Sequence, residues 1–319
     1  MMQRLSLDLV RAAHERIRAL VNRTPVMTSE TMDHQHRTRL FFKCENFQKC
    51  GVFKARGASN AVFALTDEEA RRGVLTHSSG NHAAALARAA GLRNIPAYIV
   101  MPTNSPRAKQ ASVQRYRGEI IFCEPTLQAR EVTADKVRAR TQAEFIHPYD
   151  NLQVMAGQGT AAVELLEDIP ELDVILCPVG GGGLLSGVAV AAKSLRPEIR
   201  VIAVEPSMAD DAYRSFKART IIPSVDPKTI ADGLLTSLGE RPFAEILDHV
   251  DSVVTVSEES IVKAMRAIWE IMKIIVEPSA AVVYAAVLEG KVDVAGQRVG
   301  LVLSGGNLDL DTLPWQKTC

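Results

Sequence analysis

Short apolar runs recur along the chain from about residue 73, and stretches with helical spacing of small apolar residues fill the gaps between them. The segments GVLTHSS (73–79), IPAYIVMP (95–102), EIIFCEP (119–125), DVILCPV (173–179), RVIAVEP (200–206), SVVTVS (252–257) and RVGLVLS (298–304) read as strands. Between many of them lie segments such as NHAAALARAAG and GLLSGVAVAAKSLR, which read as helices. Strands alternating with helices are predicted to be parallel and covered on their faces, which makes the chain α/β. The stretch RTQAEFIHPYDNLQVMAGQGT (140–160) separates two strand groups and carries Pro148 and two glycines, so it is predicted to cross between lobes. A small lobe is expected over 70–145 and a larger one over 1–69 and 146–319, each with mostly parallel, twisted sheets flanked by helices. The pattern shows no internal repeat and no low-complexity tract.

Composition narrows the class of function. The chain has 319 residues, 47% hydrophobic and 23% charged, enough for a sizeable core in a globular, soluble protein. Lys plus Arg and Asp plus Glu both count 37, so there is no net field to attract nucleic acid or an anionic membrane. Cys44, Cys50, Cys123, Cys177 and Cys319 are odd in number and include no CxxC pair, which argues against a disulfide framework or a zinc site and fits a reducing cytoplasm. The N-terminal MMQRLSLDLVRAAHERIRAL is an amphipathic charged helix without the apolar core of a signal peptide, and no apolar run approaches a membrane span. Small-molecule chemistry in the cytoplasm is the expectation.

One lysine stands out. In KCGVFKARGASNAVFAL (49–65), Lys54 sits among small and apolar neighbours at the head of a helical pattern. A lysine there either snorkels its head to water or, poorly solvated, loses its proton easily and becomes a nucleophile for a carbonyl carbon.

Four glycines, Gly180 to Gly183, follow the strand DVILCPV and precede the helix LLSGVAVAAKSL. Bare backbone admits an anion closely, and the free N–H groups of a helix start supply donors and positive dipole, so the run is predicted to cup a phosphate rather than only to turn the chain. It lacks the Gly-Lys-Ser/Thr of a P-loop and the G-x-G-x-x-G spacing of a dinucleotide fold, although Glu205 lies where a ribose-binding acid would. In THSSGNHAAALARAAG a strand ends at Ser78-Ser79 and a helix opens at Gly80-Asn81-His82, a set of hydroxyls, amide and N–H groups suited to a carboxylate; Asn81 taken alone reads more readily as a helix cap. In LVLSGGNLDL, Ser304 ends the last apolar strand, and in a parallel sheet it shares an edge with the glycine run.

The ordered series RTPVMTSE, FFKCENFQ, FKARGA, SSGNH, HPYD, AGQGT, VGGGG, EPSMADD, TIADG, VEPSA and LSGGN covers nearly the whole chain. It resembles the β-family (fold type II) of pyridoxal-phosphate enzymes, most closely the branch of serine racemase, threo-3-hydroxyaspartate dehydratase and threonine dehydratase. The resemblance implies a two-lobed, tryptophan-synthase-β-like fold, pyridoxal 5'-phosphate as cofactor and an amino acid as substrate. It places the Schiff-base lysine on Lys54 and the phosphate loop on Gly180, Gly181, Gly182 and Gly183. Phe53 would pack on the pyridine ring, Asn81 would bond its 3-hydroxyl and Ser304 would meet its nitrogen. A serine cannot keep that nitrogen protonated as a carboxylate would, so the cofactor is a weaker electron sink and elimination is favoured.

In the implied reaction Lys54, displaced by the amino acid, removes the α-proton; the β-hydroxyl leaves and the enamine hydrolyses to a keto acid and ammonia. Racemisation needs a second acid on the opposite face, a role that falls on Ser79. Ser78 and His82 belong to the substrate grip, and Arg130 matches an arginine lining the substrate pocket, where a guanidinium can pair with a side-chain carboxylate; outside the resemblance it reads as an exposed helix arginine. Glu205, the Ala209 carbonyl and Asp211 match a structural site for Mg²⁺, Ca²⁺ or Mn²⁺. A homodimer is also implied.

Some positions depart from the pattern. Val52 is bulkier than the usual Ser or Ala and is expected to crowd the substrate side of the cofactor. Ala83-Ala84 replaces the Gly-Gln of the animal racemases, so a glutamine that helps bind ATP is missing, whereas Tyr116, Lys273 and Asn307 match nucleotide contacts, which leaves an effect of ATP open. The expected function is a hydroxy-amino-acid ammonia-lyase acting on serine or threo-3-hydroxyaspartate, with serine racemisation as a companion activity. Alternatives are a threonine dehydratase, a β-replacement synthase of the same fold and, without catalysis, a nucleotide-binding sensor domain.

Overall fold

Two sheets carry the fold, and the structure, a computed structural model, describes residues 3–316 apart from Ser79 and Pro106. The strands are β1 (Val26–Met27), β2 (Arg39–Cys44), β3 (Val74–His77), β4 (Ala97–Pro102), β5 (Glu119–Cys123), β6 (Glu144–Phe145), β7 (Val174–Pro178), β8 (Arg200–Pro206), β9 (Ser252–Val256) and β10 (Arg298–Leu303). The first seven α-helices are α1 (Leu7–Ile17), α2 (Glu30–His36), α3 (Lys54–Ala64), α4 (Asp67–Arg71), α5 (Asn81–Arg93), α6 (Arg107–Arg115) and α7 (Leu127–Thr141). Then come α8 (Leu152–Asp168), α9 (Gly183–Leu195), α10 (Asp211–Ala218), α11 (Glu240–His249), α12 (Glu258–Ala267) and α13 (Pro278–Leu288).

The larger sheet runs β1-β2-β10-β7-β8-β9 and the smaller β5-β4-β3-β6. All pairings are parallel except β1 with β2, where Val26 faces Lys43. All seven strands expected from the apolar runs are present. Burial on both faces explains why the inner strands read as continuous apolar runs: along β7, Val174 and Leu176 enter one core while Ile175 and Cys177 enter the other, and Ile202 and Val204 alternate with Val201 and Ala203 along β8. In the smaller sheet Val74, Ile99 and Met101 face one core and Leu75 and Val100 the other.

Three helices meet more closely than side chains ordinarily allow. A Cβ on Gly157 would lie 2.6 Å from Gly57 Cα, and one on Gly187 would lie 2.4 Å from Met155 O, so α3, α8 and α9 touch backbone to backbone. The glycines of AGQGT therefore belong to a helix interior, where they serve packing. The chain crosses between sheets as the sequence suggests: β6 pairs with β3, and α8, capped by Asn151 Oδ1 accepting from Gln153 N and Val154 N, packs against α9. Helix α3, which precedes residue 70, contributes Ala58, Ala61 and Val62 to the core beneath the smaller sheet, so it serves both layers.

Candidate active site

Because β10 and β7 are parallel neighbours, with Val299 beside Val174 and Leu301 beside Leu176, the turns that follow them leave the sheet at one edge. Gly180 to Gly183 and Ser304 to Asn307 thus lie on the same side of the molecule, as the strand pattern predicts. Residues 51 to 53 are stitched along that edge: Gly306 N donates to Gly51 O at 2.9 Å, Val52 bridges Gly305, and Phe53 N donates to Ser304 O at 2.9 Å. Cys50 and Gly51 take positive φ, turning the chain so that α3 starts at Lys54. Val52, expected to crowd a ligand, is fully buried against Gly305.

Lys54 does not snorkel. Its Nζ donates to Pro148 O at 2.7 Å and lies 5.1 Å from the centre of the Phe53 ring. Burial brings its pKa down to about 8, so near neutral pH about a tenth of this amine is uncharged and nucleophilic, far more than for a solvated lysine. Phe53 is half-buried, packs on the larger core and supplies no side-chain cap to α3.

The glycine turn connects β7 to α9, whose N-cap is Gly182 at φ 86°, with no side chain bonded to the first helical amides. Those donors are therefore free for an anion. Packing adds a second reason for four glycines here. A Cβ on Gly181 would lie 2.3 Å from Tyr149 Cγ, one on Gly183 would lie 2.9 Å from Tyr149 Cβ, and one on Gly180 would lie 3.0 Å from Leu234 Cα. Neighbouring protein already excludes side chains here, and the bare loop rests on the Tyr149 ring.

Asn81 is not the cap of α5; that position is Gly80. Instead Asn81 Nδ2 donates to both oxygens of Glu277 at 3.3 Å and its Oδ1 accepts from Asn307 Nδ2 at 2.9 Å, linking the smaller-sheet layer to the turn after β10. Ser78 Oγ accepts from Gly80 N at 3.3 Å. Ser79 lies outside the described residues. His82 is turned inward and buried, its Nε2 3.2 Å from Ile146 O, and burial keeps it neutral. Arg130, on α7, is half-buried; its Nε has no partner, and its charge is felt by His77 and Cys123. His77 stacks edge-on to His147 at 6.0 Å, and burial brings His147 down to about 4.

Glu277, quoted only within VEPSA, is the acid that residue-by-residue reading misses. It is buried and accepts from Asn81 and from Asn307 N (3.1 Å), and burial with the nearby Asp232 charge pushes it up to about 7. Its sequence signal is an acid before Pro at a helix start, a place where a cap is expected. Beneath the lysine helix, Arg56 is buried between Glu45 Oε2 (2.7 Å) and Glu164 Oε1 (2.7 Å), and Lys43 Nζ reaches Glu164 Oε2 at 2.6 Å. Two cations and two anions close this network without net charge.

Of the cation ligands implied by the resemblance, Glu205 and Asp211 lie near each other at the end of β8. Glu205 and Asp211 are buried; burial pushes them to about 9 and about 6, and each raises or is raised within this acidic pair. Glu205 accepts from Ala212 N and Tyr213 N, while Asp211 Oδ2 is buried without a partner. Among the described residues no group of three or more His, Cys, Asp or Glu could hold a metal, so a cation here would need backbone or water oxygens, such as the carbonyl of buried Ala209.

A family model described as pyridoxal-phosphate dependent enzyme matches residues 17–305. The beta-hydroxyaspartate dehydratase of Paracoccus denitrificans is 51% identical over 304 residues, covering 95% of this chain and 96% of its own. The serine racemase of Arabidopsis thaliana is 50% identical over 309 residues, covering 95% and 93%. Among solved structures, maize serine racemase superposes with a TM-score of 0.95 at 48% identity, covering 98% of this chain and 96% of that one.

Proposed function

Because the chain belongs to the pyridoxal-phosphate dependent enzyme family, we propose that it is an ammonia-lyase of β-hydroxy amino acids, taking 3-hydroxyaspartate and serine, with serine racemisation as a companion activity. The observation that carries the reading is the Lys54 amine, its pKa lowered to about 8 and held at Pro148 O beside the sheet edge where the glycine turn emerges. The residues fit the cofactor: the first amides of α9 are free of any side-chain cap, the loop is bare, and Lys54 is half-buried and easily deprotonated.

Gly180 to Gly183 would hold the phosphate, Asn81, Phe53 and Ser304 the ring, and Lys54 the carbonyl carbon. When bound, the cofactor supplies an electron sink for charge developing at the substrate α-carbon. Lys54 would serve as the base there, because its easily deprotonated amine stands at the head of α3. Ser304, a hydroxyl rather than a carboxylate, leaves the sink modest, so loss of the β-hydroxyl competes well with return of the proton. Water is thereby lost across Cα–Cβ, and the enamine hydrolyses to a keto acid and ammonia. Ser79 would return a proton from the other face. Arg130, with an unpartnered buried Nε–H, favours a substrate carrying a second carboxylate. Ser78 would contact the substrate carboxylate, while buried His82 shapes that grip from behind.

Glu205, Asp211 and the Ala209 carbonyl would take Mg²⁺, Ca²⁺ or Mn²⁺, relieving two acids buried side by side; an unchanged melting temperature in EDTA and in millimolar Mg²⁺, Ca²⁺ and Mn²⁺ would refute that site. The division into a substrate-gripping layer over 70–145 and a cofactor-holding remainder, working as a cytoplasmic homodimer, belongs to the same reading. The decisive test is a panel of serine, threonine and threo-3-hydroxyaspartate in both enantiomers, following keto acid and chirality together. Arg130→Ala should weaken hydroxyaspartate turnover more than serine turnover; equal losses count against the role given to Arg130. Ser79→Ala should lower the ratio of racemisation to L-serine elimination, and an unchanged ratio removes it from the opposite face.

A further inference from the structure

The crossing turn His147-Pro148-Tyr149-Asp150 touches both ends of the site. His147 Nδ1 accepts from Asp150 N at 2.9 Å and from Tyr149 N at 3.4 Å, so this nitrogen carries no proton and the ring closes the turn. Pro148, with its fixed φ, offers its carbonyl to Lys54 Nζ. The next residue lays its ring flush against the glycine turn, Cγ lying where a Cβ of Gly181 would come within 2.3 Å, while its phenol interacts with Thr236. Asp150 then accepts from Glu240 N (3.1 Å) and Arg241 N (3.3 Å), fastening the turn to the start of α11.

A run of four glycines has little stiffness of its own, since each residue explores far more backbone conformations than one with a side chain. Its amides point usefully at an anion only if something templates the loop, and preorganisation of this kind appears directly as affinity. The template is the Tyr149 ring. We infer that Tyr149 is a positioning residue: it shapes the glycine turn and, through the adjoining Pro148 carbonyl on Lys54, fixes the spacing between the amine and the anion-binding amides. The inference rests on the reading of this site as the pyridoxal-phosphate site, and it makes Tyr149 responsible for preferring the phosphorylated cofactor over the same aldehyde without phosphate.

The test uses the full-length protein stripped of cofactor and titrated by absorbance with pyridoxal 5'-phosphate and, separately, with pyridoxal. Tyr149→Phe should keep the preference of the natural protein for the phosphorylated form. Tyr149→Ala should weaken binding of pyridoxal phosphate by about tenfold or more while pyridoxal changes little, so the preference collapses. Equal losses for both aldehydes, or no loss, would overturn the inference; Tyr149→Leu is read in the same way should the alanine variant not fold. A second measurement is independent of loop disorder. Gly181→Ala should cost much binding when Tyr149 is present and little in a Tyr149→Ala background, because the added methyl collides with the ring; an equal cost in both backgrounds also overturns it. Failure of the natural protein to bind pyridoxal phosphate at all would instead refute the proposed function.

Discussion

The chemistry of a single amine decides most of what this chain can do. Lys54 keeps its bond to Pro148 O, but burial drives its pKa from 10.5 to about 8. The consequence for pH has a definite sign. A group whose pKa is depressed by folding contributes stability that is present above its unfolded pKa and lost as pH falls through the folded one, here between about 10.5 and about 8. In the cofactor-free protein, Lys54→Met should therefore raise the melting temperature at pH 7, and the gap should close by about pH 10. Capture of pyridoxal phosphate should rise with pH around a midpoint near 8; a midpoint near 10 in stopped-flow absorbance would show an ordinary solvated lysine. Arg56 poses the opposite case, a charge that never titrates yet is buried with Glu45 and Glu164. Arg56→Met strands two carboxylates with Lys43 alone and should cost about 3–5 kcal/mol in urea denaturation, the usual result of breaking a buried network from one side.

At the scale of elements, what sequence can show depends on how far apart the partners lie. Strands β3, β4, β7, β8 and β10 are legible because burial on both faces leaves an uninterrupted run, the partly exposed β5 and β9 keep enough apolar residues to be read, and the shared edge of Ser304 and the glycine turn follows from parallel order alone. Strand β2 hides because its apolar LFF core is bracketed by Arg39 and Lys43, and a buried lysine makes sense only with Glu164, far along the chain on α8. Strands β1 and β6, two residues each, carry no period to detect. Glu277 and Tyr149 escape for the same reason as Lys43: their partners Asn81 and Gly181 sit in distant segments. The helices show the converse, since Gly157 and Gly159 look like turn residues in sequence but stand where backbones touch. Gly187→Ala would set a methyl 2.4 Å from Met155 O, which no side-chain rotation relieves, so α8 and α9 must part. A loss of several kcal/mol is expected, at the upper end of about 1–3 kcal/mol for overpacking or beyond it; a melting temperature within a degree or two of the natural protein would show the helices to be loosely joined.

For the whole molecule, the question is what holds the two sheet layers together. Helix α3 packs beneath both and cannot come apart without unfolding, and polar bonds add further links between the layers. Asn81 to Glu277 spans them with two bonds of 3.3 Å, and Lys109 Nζ on α6 reaches Asp232 Oδ2 at 2.8 Å, just ahead of the Gly233-Leu234 segment that walls Gly180. Both members of the Lys109–Asp232 pair are well exposed, so the bond adds no more than about 1 kcal/mol to stability. That is too little to matter for folding and enough to bias an opening of the layers severalfold. Lys109→Ala should leave the melting temperature almost unchanged while raising the KM for the amino acid a fewfold. Because exposed charges are screened within about 8 Å at physiological salt, adding NaCl should carry the KM of the natural protein up toward that of the variant, whose own KM stays nearly flat. If both respond to salt alike, the pair takes no part in drawing the layers together, and their approach is set by other links such as Asn81 to Glu277, Asn307 to Asn81 and Arg88 Nη2 to Leu20 O.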